Sequence, residues 1–337
     1  MQVDFYFINA KSGESDVGEF DVIRHFFQRP PRRKDVVTGS GDDCALLRVP
    51  ADALLAVSTD TLVSGIHFFA DMDPVRLGHK ALAVNLSDLA AMGAEPRWVS
   101  LALTLPQIDE AWLAGFAQGF LELADFFHVD LIGGDMTRGP LSITVSIKGV
   151  VPEQGAMHRN GAKPGDAIWV TGELGGAALA LQHQFGQVML PSEALPSLLE
   201  RLEQPTPRVV AGMALRGVAS SGLDLSDGLA SDLGHILRAS GVGAQIELDR
   251  LPLPQALLAQ PDALRWQLAL AGGDDYELCF TVPEAQRGVL ATALANAGVN
   301  ITEIGRIVAG APQIEWLYRG EPVSLVLNGW DHFKEST

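Results

Sequence analysis

Apolar residues recur along this chain at two kinds of spacing, which predict helices and strands mixed in both halves. Between Pro74 and Met92 they return every three or four positions, as on one face of a long helix that Gly93 ends. Further helices are predicted for residues 18–27 and 110–127. Strands are predicted at 98–105, 129–132, 141–151, 167–171, 244–248, 276–282, 301–308 and 314–318, with 45–49 and 54–58 as paired strands. This mixture without a strict repeat favours a mixed α/β (α+β) fold over a barrel.

The periodic pattern lapses between residues 151 and 166, where prolines and glycines replace the regularly spaced apolar positions. Such a change is typical of a junction between domains. We therefore predict an N-terminal domain over residues 18–152 and a C-terminal α/β domain over residues 153–333. Residues 1–17 are expected to be a disordered extension, because residues 11–16 are polar and show no periodicity.

The chain has 337 residues, enough for two domains, and a net charge of −17 that narrows the possible partners. The charge argues against nucleic acid, because neutralising a phosphate backbone takes clusters of Lys and Arg. No apolar run is long enough to span a bilayer, so no membrane partner is expected and the protein is predicted to be cytoplasmic. Cys44 and Cys279 are too few for a disulfide framework or a thiolate zinc site, and both are expected to be packed as small apolar residues.

Aspartates form the most informative pattern, since they recur in motifs at predicted strand ends, helix starts and glycine turns. These motifs are Gly41-Asp42-Asp43, Ser58-Thr59-Asp60, Asn85-Leu86-Ser87-Asp88, Gly133-Gly134-Asp135, Asp224-Leu225-Ser226-Asp227-Gly228 and Gly272-Gly273-Asp274-Asp275. Gathered carboxylates repel one another, so a fold that collects them needs cations. Mg²⁺ suits this role, because it takes hard oxygen ligands and is usually shared with the phosphates of a substrate. The pattern predicts phosphoryl transfer at a site assembled from scattered loops.

Asp88 is the strongest single signal, because it projects from the apolar stripe of the long helix rather than from a solvent face. Leu77, Ala81 and Val84 precede it on that stripe. A charge in this position is costly unless something polar or charged meets it. Asp88 is therefore either a metal ligand or the acceptor of a structural hydrogen bond from a nearby backbone group.

Two motifs near the N-terminus also keep a structural alternative. Asp42 follows a flexible glycine turn that can bring its carboxylate to a phosphate-bound ion, or it is the cap of a polar turn. Ser58, Thr59 and Asp60 end an apolar strand and offer three oxygen donors suited to Mg²⁺. An ordinary cap at the strand end is the alternative for this motif.

Two later motifs combine aspartate with glycine. In the Gly133-Gly134-Asp135 motif, a strand-end turn would let glycine amides meet phosphate oxygens while the aspartate binds the metal; a tight turn without ligand is the alternative. In the motif from Asp224 to Gly228 a strand leads into a helix, whose N-terminal amides attract an anion. Asp224 and Asp227 lie three residues apart and would hold an ion there, while helix capping by Ser226 or Asp227 is the alternative.

Three other residues have chemistry that suits a phosphorylated ligand. Arg159 lies among glycines of the interdomain segment, from which a cation reaches a triphosphate, although solvation is the alternative. His67 lies in a loop, where it is available for hydrogen bonding to a ligand, and a satisfied surface histidine is the alternative. Trp330 lies in a polar tail, where it would either stack on a flat cationic ring or plug the edge of a core. No Ser or Cys nucleophile stands beside a His base in a recognisable signature, so we predict no covalent catalytic residue.

Together these motifs resemble the thiamine-monophosphate kinase family of the aminoimidazole ribonucleotide synthetase-like superfamily. The resemblance covers about residues 18–333 and is carried by the runs 41–45, 58–62, 80–94, 131–135, 223–229 and 273–278. It implies that the γ-phosphate of ATP passes directly to thiamine monophosphate, giving thiamine diphosphate, with several Mg²⁺ ions, in the last step of thiamine diphosphate biosynthesis. It also implies a two-domain fold whose N-terminal domain closes a barrel with a second copy, and hence a homodimer.

The resemblance assigns roles by motif position. The metal ligands would be Asp42, Ser58, Thr59, Asp60, Asp88, Asp135, Asp224 and Asp227. ATP would be contacted by Gly134, Asp135, Arg159 and Ser226, and thiamine monophosphate by His67, Asp274 and Trp330. Relatives usually carry Glu at the position of Asp274, so the contact there is expected to be shorter or to pass through water.

Two alternatives stay open at this point. One is another ATP-using synthetase of the same superfamily, and the other is a nucleotide-binding sensor without catalysis. A selenophosphate synthetase should carry a reactive cysteine near a Gly-rich, Lys-bearing loop at the N-terminus, and no cysteine precedes Cys44. The oxygen ligands at every predicted metal position disfavour a sensor.

Overall fold

The structure is a computed structural model that describes residues 18–329. The extension predicted for residues 1–17 and the predicted ligand contact of Trp330 lie outside the described residues. The first half consists of α1 (Glu19–Val22), a π-helical turn (Ile23–Phe27), β1 (Val36–Thr38), β2 (Leu46–Leu47), β3 (Ala53–Val63), α2 (Pro74–Ala91), β4 (Glu95–Leu105), α3 (Glu110–Phe126), β5 (Asp130–Arg138) and β6 (Ser142–Pro152).

The second half consists of shorter elements, beginning with β7. They are β7 (Ala167–Thr171), α4 (Gly176–Gln184), α5 (Leu195–Glu203), α6 (Val209–Ala214), β8 (Ser221–Asp224), α7 (Leu229–Ser240), β9 (Gly243–Glu247), a 3₁₀ turn (Leu248–Arg250), α8 (Gln255–Leu258), α9 (Asp262–Ala271), β10 (Leu278–Val282), α10 (Glu284–Ala293), β11 (Ile301–Val308), β12 (Ile314–Tyr318) and β13 (Glu321–Val323). The prediction of a mixed α/β fold is confirmed.

The N-terminal sheet has the strand order β3-β6-β4-β5, and α2 and α3 cover one of its faces. On this inner face the register aligns Leu62, Ile143 and Leu103 across three strands, and all three are buried. On the outer face Thr61 and Thr144 pair through their hydroxyls at 2.8 Å. Side chains alternate between the faces of a strand, so neighbouring residues of β3 point in opposite directions.

Local residues define both ends of helix α2. Asp73 accepts a hydrogen bond from the Arg76 amide at 3.1 Å, and Pro74 occupies the first turn, where no amide donor is needed. Gly93, with φ of +64°, follows the helix end. Gly119 of α3 lets the two helices approach closely, because a Cβ there would lie 1.8 Å from the Val75 carbonyl oxygen.

The C-terminal sheet has the order β13-β12-β9-β11-β7-β10-β8, and every pairing is antiparallel except that of β12 with β9. Its strand β10 shares the apolar core that contains α2, through Leu278, Phe280 and Val282. Helix α2 therefore lies between the two sheets, and side chains on its different faces reach both of them. Among the described helices, none combines the length and the apolar composition needed to cross a bilayer.

Three local predictions are wrong. Residues 45–49 and 54–58 are not paired with each other, since β2 pairs with β1 and β3 pairs with β6. Gly133 and Gly134 are not in a strand-end turn, because the β5 ladder to β4 continues through both. Cys44 is exposed rather than packed, whereas Cys279 is buried as expected. The domain boundary near residue 152 stays a prediction.

Candidate active site

Strand β3 and helix α2 bring the first group of predicted ligands together. Ser58 and Asp60 are two residues apart and therefore share the inner face of β3, where α2 passes. The Ser58 hydroxyl donates a hydrogen bond to Asp88 Oδ2. Asp60 lies close enough to Asp88 for the two carboxylates to repel each other. The inward direction of Asp88 predicted from its stripe is thus what the structure shows.

Asp224 joins this group from the C-terminal sheet. It ends β8, and its Oδ2 accepts a hydrogen bond from the Ser87 hydroxyl at 2.7 Å. Both partners are buried. Because Ser87 and Asp88 are consecutive on α2, one helical turn links the carboxylates of the two halves. We call Asp60, Asp88 and Asp224 the acidic cluster.

The carboxylates of the acidic cluster are held in surroundings that disfavour their charge. Burial, and then the neighbouring charge of Asp88, raises the pKa of Asp60 to about 6 and that of Asp224 to about 7. Burial also raises the pKa of Asp88, although the Ser58 hydrogen bond and the Arg159 charge oppose this. The positive charge of Arg159 thus acts on Asp88, whereas its predicted contact with ATP stays a prediction.

This donor set suits a hard divalent cation. The carboxylate and hydroxyl oxygens are the ligand type that Mg²⁺ prefers, and a divalent charge would relieve the repulsion that raises these pKa values. Within residues 18–329 no three His, Cys, Asp or Glu side chains converge into a ready-made metal site. Mg²⁺ commonly binds through one or two carboxylates together with waters and substrate phosphates, so such a site is completed by its ligands.

The turn between β8 and α7 carries Ser226 and Asp227. Neither caps α7, because the N-cap residue is Gly228, with φ of +102°, and no side chain bonds to the first amides. The capping alternative is therefore wrong. The Asp227 amide instead donates to Asp232 Oδ2 at 3.0 Å, and burial followed by the Asp227 charge raises the pKa of Asp232 to about 7. The uncapped amides leave this 12-residue helix open to an anion.

A second group of predicted ligands lies apart from the acidic cluster. Asp42, Gly134 and Asp135 line a cavity of about 300 Å³ at the β5 edge of the N-terminal sheet, together with the exposed Cys44. Gly134 is required there, because a Cβ would lie 1.7 Å from the Leu101 carbonyl oxygen of β4.

Thr59 belongs on the outer face of the N-terminal sheet, opposite to its neighbours Ser58 and Asp60. Its hydroxyl donates to Ser146 at 3.0 Å. The register places Asp135 on this outer face too, in line with Thr144 and Thr61 across the sheet. Two strands separate β3 from β5, a distance of roughly 14 Å. One copy of the chain therefore presents the predicted ligands as two separate groups.

The predicted substrate contacts are placed as follows. His67 lies in the loop after β3, where its Nδ1 accepts a hydrogen bond from the Val63 amide at 3.0 Å. Asp274 precedes β10 and forms an ion pair of 2.7 Å with Lys80 of α2. Its other oxygen accepts a hydrogen bond from the Tyr276 hydroxyl at 3.2 Å.

Sequence reasoning missed four residues that hold these groups: Lys80, Ser87, Asp232 and Tyr276. A signal was present for Lys80, which is three residues after Leu77 and four before Val84, on the same stripe as Asp88. Asp232 follows Asp227 by five residues, a spacing that predicts no contact in a regular helix. Its contact depends on the turn at Gly228, which only the structure shows.

Two known domains match the two halves of the chain. Residues 41–151 match AIR synthase related protein, N-terminal domain, and residues 163–316 match AIR synthase related protein, C-terminal domain. The fold and the acidic cluster thus define a two-domain protein of the AIR synthase-related class.

Individual relatives narrow the class further. The thiamine-monophosphate kinase of Escherichia coli (strain K12) is 53% identical over 322 residues, which cover 94% of this chain and 98% of that protein. The crystal structure of thiamine-monophosphate kinase from Stenotrophomonas maltophilia K279a is 45% identical, with a TM-score of 0.80 over 87% of this chain and 93% of that chain. A structure of AaThiL complexed with AMPPCP and TMP is 28% identical, with a TM-score of 0.73 over 96% of this chain and all of that chain (100%). The chain belongs to the thiamine-monophosphate kinase family.

Proposed function

We propose that the acidic cluster is the place where this kinase transfers a phosphate from ATP to thiamine monophosphate, giving thiamine diphosphate. The activity follows from the family, and the location rests on one observation. Ser87 and Asp88 are consecutive on α2 and bind side chains of different halves. The Ser87 hydroxyl donates a hydrogen bond to Asp224, and Asp88 accepts one from the Ser58 hydroxyl. A nucleotide bound beside this turn of α2 would be held by both halves of the chain at once.

The side chains of the cluster support direct transfer between two phosphates. The carboxylates are the strongest potential nucleophiles near the cluster, and as metal ligands they would not be available to form a phospho-enzyme. Mg²⁺, when bound, would supply the positive charge that lets an acidic site hold two phosphate groups. Arg159 would add a cation, and the uncapped amides at the start of α7, next to Ser226, would donate hydrogen bonds to a phosphate oxygen.

We also propose that the protein works as a homodimer closed over the outer faces of the N-terminal sheets. Leu55 and Val57 lie on the edge strand β3, and they are 47% and 58% exposed. An exposed apolar edge strand can pair with other chains and cause aggregation. A second copy of this chain, bound there, would cover the strand. Closing the outer faces would also enclose Thr59 and Asp135, two predicted ligands that lie outside the acidic cluster of their own copy.

The activity is tested by incubating the purified protein with ATP, Mg²⁺ and thiamine monophosphate and measuring thiamine diphosphate by chromatography. Direct transfer is tested separately with ATP labelled in its γ-phosphate and no acceptor. The expected result is full product formation in the first experiment and no label on the washed protein in the second. Covalently retained label would show a phospho-enzyme and overturn direct transfer while leaving the activity intact.

A further inference from the structure

A second cavity, of about 590 Å³, lies at the end of the N-terminal sheet where β4 and β5 begin. Its walls carry five cationic side chains and only two carboxylates, in a chain whose net charge is −17. The cationic side chains are Arg32, Arg33, Lys34, Arg48 and Arg97, and the carboxylates are Asp35 and Asp130. We call this the basic cavity. Asp130 in its wall and Asp135 of the predicted ATP site are roughly 16 Å apart along β5, so the two sites are distinct.

Both carboxylates of the basic cavity already bind other groups of the protein. Asp35 binds Arg33 at 2.9 Å and Arg97 at 3.1 Å. Asp130 is buried, and it accepts the backbone amides of Arg32 and Arg33, both at 2.9 Å. These bonds fix the 32–35 segment against the sheet, so the cavity is preorganised before any ligand arrives.

Two cations remain uncompensated after this pairing. Among residues 18–329 no carboxylate lies within the 4.0 Å of an ion pair from Lys34 or from Arg48. They are neighbours in space, since the Arg48 amide donates to the Asp35 carbonyl at 2.8 Å, one residue from Lys34. Val49 and Pro50 add an apolar wall beside them. The basic cavity thus offers two exposed cations without a carboxylate partner among the described residues, on backbone segments that are bonded to each other.

We infer that the basic cavity binds a small molecule carrying two neighbouring phosphate groups, as in a diphosphate. The volume lies in the range of small-ligand sites and is too small for a macromolecule to enter. A long polyanion is disfavoured, because the acidic surface around the cavity would repel the parts that extend beyond it. Two free cations match the charge of adjoining phosphates, to which Arg and Lys donate charge-assisted hydrogen bonds.

The repulsive acidic cluster provides a way to isolate this site experimentally. In EDTA the aspartates of the predicted ATP site repel phosphates, whereas the basic cavity needs no metal. Titration calorimetry of the full chain with inorganic diphosphate in EDTA at low salt should show one site per chain. The affinity should fall steeply as salt is added, since the attraction is between partly exposed charges.

A charge-matched pair of double variants tests where the diphosphate binds. Lys34→Gln with Arg48→Gln should weaken binding by about tenfold or more, the loss expected from two charge-assisted hydrogen bonds. Arg306→Gln with Arg319→Gln removes the same charge from exposed positions on strand β11 and in the turn between β12 and β13, and should leave the affinity unchanged. Both variants are first shown to melt like the wild type.

Three outcomes would overturn the inference. They are the absence of binding in EDTA, an equal loss in the two double variants, and full affinity in the Lys34/Arg48 variant. None of them bears on the kinase activity, because neither residue belongs to the acidic cluster, so failure here and failure of the proposed function are distinguishable.

Discussion

Lys80 on α2 donates a hydrogen bond from Nζ to Asp274 Oδ2 at 2.7 Å, and this ion pair joins the two halves of the chain. The Lys80 side chain is 3% exposed and that of Asp274 is 33% exposed. Lys80 also donates to the Leu202 carbonyl at 2.9 Å, while Tyr276 donates to Asp274 Oδ1. Asp274 and Tyr276 both have left-handed backbones, with φ of +68° and +49°. The ion pair therefore holds a strained segment, of the kind that clusters at functional sites.

The unequal burial of this pair predicts unequal costs of breaking it. Asp274→Ala leaves the cation of Lys80 buried and unpaired, which should destabilise the fold by about 3–5 kcal/mol. Lys80→Met should cost less, because Asp274 reaches solvent and keeps its hydrogen bond from Tyr276. Urea denaturation of both variants measures the difference, with Tyr276→Phe as a control expected to cost about 1 kcal/mol. An equal loss in the free energy of unfolding for Asp274→Ala and Lys80→Met would contradict the unequal burial of the two side chains.

Asp88→Asn should abolish turnover and leave the fold intact. In the metal-free protein the variant should be as stable as the wild type or more stable, because it removes one of several carboxylates that repel each other. The measurements are a kinase assay with Mg²⁺ and the melting temperature in EDTA. A folded variant that keeps wild-type turnover would show that Asp88 has a structural role, the other reading that its position on α2 allowed.

The sequence predicted most of the elements that position the site, because their limits depend on local chemistry. The α2 helix was predicted over residues 74–92 and extends over Pro74–Ala91, since proline and glycine mark its ends. Strands β7 and β12 were predicted at their observed limits. Helix α9 was missed, as was strand β1, whose three residues are too few to show an alternating pattern.

Which predicted ligands lie together depends on facts that no motif carries. Thr59 and Asp60 are adjacent in sequence, yet the alternation of β3 sends them to opposite faces of the sheet. Asp135 belongs to the same kind of motif as Asp224, yet two strands separate its strand β5 from β3, which carries Ser58 and Asp60. Strand order and register decide these separations, and both are set by long-range pairing. The ion pair of Asp274 with Lys80 could not be predicted either, because the two residues are 194 positions apart in the sequence.

The raised pKa values predict a pH dependence of stability in metal-free protein. Asp60 and Asp224 have pKa values of about 6 and about 7 in the folded chain, against about 3.9 for an unfolded aspartate. The folded state therefore holds these protons more tightly, so its stability is greatest below pH 4 with respect to these groups and falls as pH rises to about 7. In EDTA, the melting temperature of Asp224→Asn should exceed that of the wild type by much more at pH 8 than at pH 5. A difference that does not change with pH would contradict the shifts.

The separation of the predicted ligands into two groups predicts complementation between inactive variants. If the acidic cluster of one copy works with Asp135 of the other, a mixed dimer of Asp88→Asn and Asp135→Asn contains one site without substitutions. Random exchange of copies should then restore about a quarter of wild-type activity. Mixing Asp88→Asn with Asp224→Asn should restore none, because both residues belong to the same cluster. No recovery in either mixture would place every ligand of a site within one copy.

The charge of the acidic cluster predicts that nucleotide binding depends on Mg²⁺. Phosphates and aspartates about 4 Å apart repel by roughly 4 kcal/mol per pair of unit charges at the effective dielectric of a protein surface. Arg159 alone does not cancel several such pairs, so the metal must enter with ATP or before it. A ligand that binds only the folded chain raises its melting temperature. ATP with Mg²⁺ should therefore raise the melting temperature much more than ATP with EDTA. This comparison is best made in the Lys34→Gln/Arg48→Gln variant, in which the basic cavity cannot contribute a metal-free shift. Equal shifts with and without metal in that variant would mean that the aspartates do not form the phosphate site.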